Sequence, residues 1–161
     1  MQHDNLIQRA DSNAREKDSI FIVHGRDDNV KLAVTLFLER FGLIPIILNE
    51  QINRGKTIIE KFEEFAKKAK FAVVLLTPDD KCHAIEGTEV EFRARQNVIY
   101  ELGYFSSALG RANTFVIKKG NIDIPSDMFG IVYEPFETEN WRLKLAKELK
   151  AAGYQIDLNK L

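Results

Sequence analysis

Residues 20–48, IFIVHGRDDNVKLAVTLFLERFGLIPIIL, carry the pattern that decides the fold. The first apolar run ends at Gly25 and predicts a buried strand. Either aspartate at positions 27–28 can cap the helix that follows, and its apolar stripe runs as far as Gly42. A second apolar run contains Pro45, which has no backbone N–H and therefore predicts a strand at the edge of a sheet. Strand, helix and strand in this order are typical of a parallel sheet.

The remainder of the chain repeats this alternation. A helix is predicted over residues 58–69, with an apolar side formed by Ile58, Ile59, Phe62, Phe65 and Ala69. Residues 79–96 are polar and indicate a loop with some helical character. Further strands are predicted at 71–78, 113–119 and 131–136, and further helices at 97–110 and 140–153. The pattern predicts a flavodoxin-like three-layer α/β fold with five mostly parallel strands in the order 2-1-3-4-5, and a site at their carboxyl ends.

The predicted helix that is capped by Asn97 holds a candidate catalytic group. Asn97, Glu101 and Tyr104 share one helix face, because they are spaced four and three residues apart. Gly103 beside them permits close approach of a backbone or a ligand. A carboxylate in this place can face the crevice at the strand ends. Spacing alone favours an ordinary acid in the first turns of a helix, where acids are common and the helix dipole stabilises them.

Two short segments combine glycine with cations, and a third holds an arginine without glycine. His24, Gly25, Arg26 and Asp27 follow the first strand and suit an anionic ligand. Arg54, Gly55 and Lys56 precede the second helix, and Arg95 precedes the third; a pyrophosphate is the natural partner of such groups. On this ground alone, a capped turn explains residues 24–27 equally well, a solvated loop is the better explanation of residues 54–56, and a surface ion pair is the more frequent role for Arg95.

The composition narrows the class of protein. The 161 residues fit one domain, here divided into an N-terminal arm or linker at 1–19 and a globular domain at 20–161. A net charge of −1 gives no electrostatic footprint for nucleic acid or for an anionic membrane. The single cysteine excludes an internal disulfide, and the histidines lack the spacing of a metal site. With no leader-like or membrane-spanning apolar run, we expect a cytoplasmic protein.

Several segments taken together resemble a known family. They are IFIVHGRD, NRGKTIIEKFE, FAVVLLTPDD, RARQNVIYELGYFSSALGR and IPSDMFGIVYEPF, in that order. This combination resembles the bacterial TIR-like nucleotide-binding domains, including the TIR domains of cyclic-nucleotide-triggered antiphage effectors that are fused to STING or SAVED sensors. The likeness extends over residues 20–154.

The resemblance implies a TIR fold and cleavage of NAD⁺ between nicotinamide and ribose, with Glu101 in the position of the family's catalytic glutamate. NAD⁺ is then a substrate, and neither a separate cofactor nor a metal is expected. The resemblance also places residues 24–26 at the nucleotide site, residues 49–57 in the loop that gates it, and Arg95 and Asn97 just before the glutamate.

The same resemblance implies partners and leaves alternatives open. Homotypic TIR–TIR assembly is expected to activate the enzyme, under the control of a sensor domain or protein that recognises a cyclic nucleotide. The product is ADP-ribose or a cyclic ADP-ribose. A non-catalytic TIR scaffold is the main alternative, and a nucleoside deoxyribosyltransferase and a phosphoacceptor receiver domain are two others.

Overall fold

Five parallel strands form the central sheet. The structure, a computed structural model, describes residues 18–48, 55, 57–83, 85–125 and 132–161. The strands of the sheet are β1 (Ser19–Val23), β2 (Ile44–Ile47), β3 (Ala72–Leu76), β6 (Thr114–Lys118) and β7 (Tyr133–Pro135), in the spatial order β2-β1-β3-β6-β7. Counted among themselves these are strands 2-1-3-4-5, so the predicted order is confirmed. The predicted arm lies outside the described residues except for its last two positions, and β1 begins at Ser19.

Four helices cover the two faces of this sheet. They are α1 (Asp28–Arg40), α2 (Ile58–Lys68), α3 (Gln96–Ala108) and α4 (Asn140–Ala151), with single 3₁₀ turns at Arg111–Asn113 and Leu158–Lys160. Helices α1 and α4 pack on one face, whereas α2 and α3 pack on the other. No helix in the described part of the chain is both long and apolar enough to cross a bilayer.

The alternating side chains of the strands divide the core into two clusters. In β1, Ile20 and Ile22 point towards α1 and α4, whereas Phe21 and Val23 point towards α2 and α3. All four are at most 1% exposed, as expected for a parallel sheet that is buried on both faces. Strand β2, which contains Pro45, lies at the sheet edge as its missing N–H predicts.

The polar stretch at residues 79–96 contains strands rather than the predicted loop with helical character. Asp80–Cys82 forms β4 and Glu91–Arg93 forms β5, and the two pair antiparallel as a separate ribbon. The ribbon is joined to the main body by a bridge between Arg93 and Asp123. The sequence concealed it because three-residue strands with exposed side chains show no apolar alternation.

Two predictions about the helices are also wrong in detail. Ile58 and Ile59 are 77% and 48% exposed, so the buried face of α2 is narrower than its apolar pattern indicated. Helix α3 begins at Gln96, with Arg95 at the capping position and no side-chain cap, so Asn97 lies inside the helix rather than capping it. Exposed first-turn donors bond to water instead, which makes a side-chain cap dispensable here.

Candidate functional site

The loops that follow β1, β3 and β6 meet at the carboxyl edge of the sheet. Asp79 Oδ1 accepts a hydrogen bond from the Arg26 backbone N–H at 3.0 Å and another from Thr77 Oγ1 at 2.9 Å. Gly25 is buried against the same carboxylate, and a Cβ atom on this glycine would lie 1.7 Å from Asp79 Oδ2. A side chain at position 25 would therefore have to displace the Asp79 carboxylate, and glycine allows the close approach.

Asp27 ties the β1 loop to the loop after β6. Its Oδ1 caps α1 by accepting from the N–H groups of Asn29 and Val30, both at 3.1 Å, as the capping pattern predicts. Its Oδ2 pairs with Lys119 Nζ. Burial works to raise the pKa of Asp27, but the hydrogen bonds from Lys119, Val30 and Asn29 outweigh it and hold that pKa below the ordinary 3.8. The carboxylate is thus fully ionised at neutral pH.

His24 and Arg26 flank the buried Gly25, and their side chains differ in exposure and in contacts. The imidazole Nδ1 of His24 lies 2.9 Å from the Gly25 carbonyl oxygen, while Nε2 is buried and has no protein partner among the described residues. The Arg26 side chain is 65% exposed and its guanidinium lies 3.6 Å from Asp80. A long ion pair of this kind holds a side chain weakly, so the Arg26 guanidinium is free to meet an anionic ligand.

Glu101 lies one turn into α3, beside the face that packs on the sheet. Helix α3 contacts β1, β3 and β6 and buries Val98, Leu102 and Phe105. Burial raises the pKa of Glu101 to about 7, even though the positive charge of Arg95 works in the opposite direction. No hydrogen bond or ion pair reaches the Glu101 side chain from the described residues.

Aromatic rings surround this part of α3. Tyr104, which the spacing placed on the face of Glu101, packs edge-on against Phe62 of α2 with ring centroids 5.0 Å apart. Tyr100 lies 6.1 Å from the same Phe62 ring and remains half exposed. Gly103 faces open space, so no described group makes the close approach that its residue type allowed. These rings pack α2 against the turns of α3 that contain Glu101.

The structure describes some of the other predicted site residues but not all of them. Arg54 and Lys56 lie outside the described residues, and Gly55 is exposed with a positive φ of 74°. Asn97 is exposed in the first turn of α3, and half-buried Arg95 directly precedes that helix. Among the described groups, Arg95 is therefore the predicted binding residue whose positive charge opposes the rise in the pKa of Glu101.

The structure thus joins the residues of the loop after β1 in one network of polar contacts. Glu101 lies on a different element, helix α3. His24, Gly25, Arg26 and Asp27 adjoin each other, whereas no described contact joins them to Glu101. The sequence-based site omitted Asp79 and Lys119, which complete the network. Their positions directly after β3 and β6 were the signal, since parallel strands end at a common edge.

The sequence also matches a known protein family. The sequence profile described as CAP12/Pycsar effector protein, TIR domain, matches residues 19–138, which include every strand of the sheet and the whole α3 helix. The chain belongs to this TIR-domain family. The resemblance seen in the sequence and the predicted flavodoxin-like fold are both confirmed.

Individual TIR relatives are found in bacteria and in an amoeba. The chain is 48% identical over 142 residues to the uncharacterized protein YuaY of Escherichia coli K12, covering 88% of this chain and 48% of that protein. It is 34% identical over 150 residues to protein tirC of Dictyostelium discoideum, covering 87% and 74% respectively. It is 39% identical over 100 residues to the Pycsar effector protein PaPycTIR of Pseudomonas aeruginosa, covering 61% and 32%. The chain therefore spans about half of the first relative and about a third of the last.

Proposed function

We propose that this TIR domain cleaves NAD⁺ at the bond between nicotinamide and ribose, with Glu101 as the catalytic residue. One observation carries the proposal. The Glu101 carboxylate is largely buried and accepts no hydrogen bond from the described side chains. Burial raises its pKa to about 7. A protein keeps such a costly group where a ligand uses it, so a carboxylate whose pKa is perturbed in this way is a candidate functional group.

The chemistry asks for one well-placed negative charge. When the glycosidic C–N bond breaks, its electron pair moves to the pyridinium nitrogen and nicotinamide leaves as a neutral molecule. Positive charge then develops on the ribose, and the fixed Glu101 carboxylate stabilises it. Water attacks the anomeric carbon and loses a proton, which gives ADP-ribose; attack by a nucleophile of the same molecule gives a cyclic ADP-ribose. A neutral leaving group needs no strong general acid.

The remaining predicted residues have binding roles in this proposal. Arg26, with its free guanidinium, and the cations Arg54 and Lys56 neutralise the pyrophosphate, and His24, Gly25, Asp27 and Gly55 shape the loops around it. Arg95, Asn97 and Tyr104 border the ribose and base near Glu101. Arg95 also limits the rise in the Glu101 pKa, which keeps part of the carboxyl ionised at neutral pH.

Assembly and a sensing partner belong to the same proposal. The family description and the names of several relatives refer to Pycsar effectors. We extend to this chain a role in antiphage defence, with TIR–TIR assembly switched on by a sensor domain or protein that recognises a cyclic nucleotide. The described helices offer apolar surface for assembly, since Leu32 and Leu36 of α1 are 54% and 55% exposed on one helix face.

Exposed apolar surface also supports a second candidate function, that of a non-catalytic scaffold. Ile58 and Ile59 form a further apolar patch at the start of α2, directly after the loop that contains Gly55. Surface of this kind is typical of protein–protein interfaces, and a scaffold needs nothing from Glu101. Turnover therefore separates the two candidates.

The test is an NAD⁺ cleavage assay on protein that is forced to assemble, by fusion to an oligomeric partner and by crowding. We expect nicotinamide release to rise with the degree of assembly, and chromatography then identifies ADP-ribose or its cyclic form. Concentration-dependent oligomers that leave NAD⁺ intact would favour the scaffold. Release of free base from deoxynucleosides, in place of nicotinamide from NAD⁺, would indicate a deoxyribosyltransferase.

A receiver-type phosphoacceptor fits the site poorly. The acceptor would be Asp79, which follows β3, but its Oδ1 already accepts two hydrogen bonds. Its Oδ2 is buried against Gly25. Neither oxygen is open to a phosphoryl donor.

A further inference from the structure

Asp79 fixes the β1 loop through its side chain. Its Oδ1 accepts from the Arg26 backbone N–H at 3.0 Å and from the hydroxyl of Thr77, which is only 2% exposed. A hydrogen bond from a backbone N–H to an ionised carboxylate is among the stronger ones in proteins. The peptide between Gly25 and Arg26 is therefore held to the end of β3.

The Asp79 carboxylate also lies in close contact with Gly25. Asp79 Oδ2 lies so close to the Gly25 Cα that a Cβ would stand 1.7 Å from it. The same oxygen is buried and has no hydrogen-bond donor among the described residues.

The backbone of Asp79 connects this loop to the entrance of α3. Its N–H is shared between the carbonyl oxygens of Thr77 at 2.8 Å and Arg93 at 3.1 Å. Arg93 ends β5, and two residues later Arg95 precedes the helix that carries Glu101. Asp79 is thus bonded on one side to the loop of His24 and Arg26 and on the other to the segment that leads to Glu101.

We infer that Asp79 is a positioning residue, which sets the affinity of the site for NAD⁺ by holding the Gly25–Arg26 peptide in place relative to α3. The inference rests on the proposed NAD⁺ cleavage and extends it to a residue that touches no reacting atom. A binding loop that is already held in its bound conformation raises affinity, because less ordering is needed when the ligand binds.

The experiment compares Asp79→Ala with the conservative Asp79→Asn, each in assembled protein. Asparagine keeps an Oδ1 acceptor of the same size, whereas alanine releases the Arg26 N–H. We expect Asp79→Ala to raise the KM for NAD⁺ about tenfold with kcat within about threefold, and Asp79→Asn to stay within about threefold in both. A kcat that falls with the folded fraction while KM stays constant would show a merely structural role and overturn the inference.

Hydrogen exchange of the Arg26 amide gives a readout that needs no turnover. We expect this amide to exchange about tenfold faster in Asp79→Ala than in wild type or Asp79→Asn, because it has lost its acceptor. Equal exchange in all three proteins would overturn the loop-fixing role. Absence of cleavage by wild type would instead refute the proposed function and the affinity role with it, and the exchange data would still decide whether Asp79 holds the loop.

Discussion

Replacing Glu101 by glutamine is expected to reduce nicotinamide release from NAD⁺ by roughly 10²- to 10³-fold, the usual effect of removing one group that stabilises developing charge. Glutamine has the same shape and can still hydrogen-bond to the ribose hydroxyls, but it carries no charge. The loss should therefore fall on kcat, while the KM for NAD⁺ stays within a few fold. Initial rates at saturating NAD⁺, measured on assembled protein, test this.

Glu148→Gln is the matched control for that experiment. Glu148 is exposed on α4, which packs on the opposite face of the sheet from α3. The same chemical change is expected to leave nicotinamide release unchanged at this position. Equal activity of wild type, Glu101→Gln and Glu148→Gln would remove Glu101 from its proposed role and leave the fold assignment intact.

The same Glu101→Gln substitution should stabilise the folded domain at alkaline pH. Folding raises the pKa of Glu101 from 4.5 to about 7, so the native state binds more protons than the unfolded state between these values. Stability contributed by the protonated carboxyl is then complete below about pH 4.5 and is lost as the pH rises through about 7. The loss in wild type amounts to roughly 3 kcal/mol, and glutamine does not titrate and avoids it.

Denaturant unfolding at two pH values measures this effect. We expect the difference in free energy of unfolding between Glu101→Gln and wild type to grow by roughly 3 kcal/mol from about pH 4 to about pH 8. The Glu148→Gln variant supplies the baseline for a glutamate-to-glutamine change at an exposed position. A difference that is the same at both pH values would mean that the Glu101 carboxyl is not desolvated by the fold, and the observation behind the proposed function would fall.

The fold could be predicted from the sequence because its signals are local. The apolar run before Gly25, the capping Asp27 and the donor-free Pro45 each act within a few residues, and together they fix the strand and helix order. The ribbon of β4 and β5 escaped because its three-residue strands show no apolar alternation, and because its bridge from Arg93 to Asp123 joins residues that are far apart in the sequence.

The site could be predicted only in part, for a physical reason. The TIR resemblance singled out Glu101, but no sequence pattern gives its pKa, which depends on what the folded chain packs around it. Likewise, Asp79 and Arg26 are 53 residues apart and meet only because β1 and β3 are neighbours in the sheet. The exposure of Ile58 and Ile59 could not be predicted for the same reason. An apolar stripe shows which side chains can be buried, but not which of them another part of the fold covers.

The central claim is that an ionised Glu101 drives the cleavage, and the pH profile of kcat/KM for NAD⁺ tests it most directly because this ratio reports the free enzyme. For assembled wild type, kcat/KM should rise about tenfold per pH unit at acid pH and level off above about pH 7, where the Glu101 carboxyl is ionised. The residual rate of Glu101→Gln should show no such rise. A wild-type kcat/KM that stays constant from about pH 5.5 to 8.5 would contradict the claim.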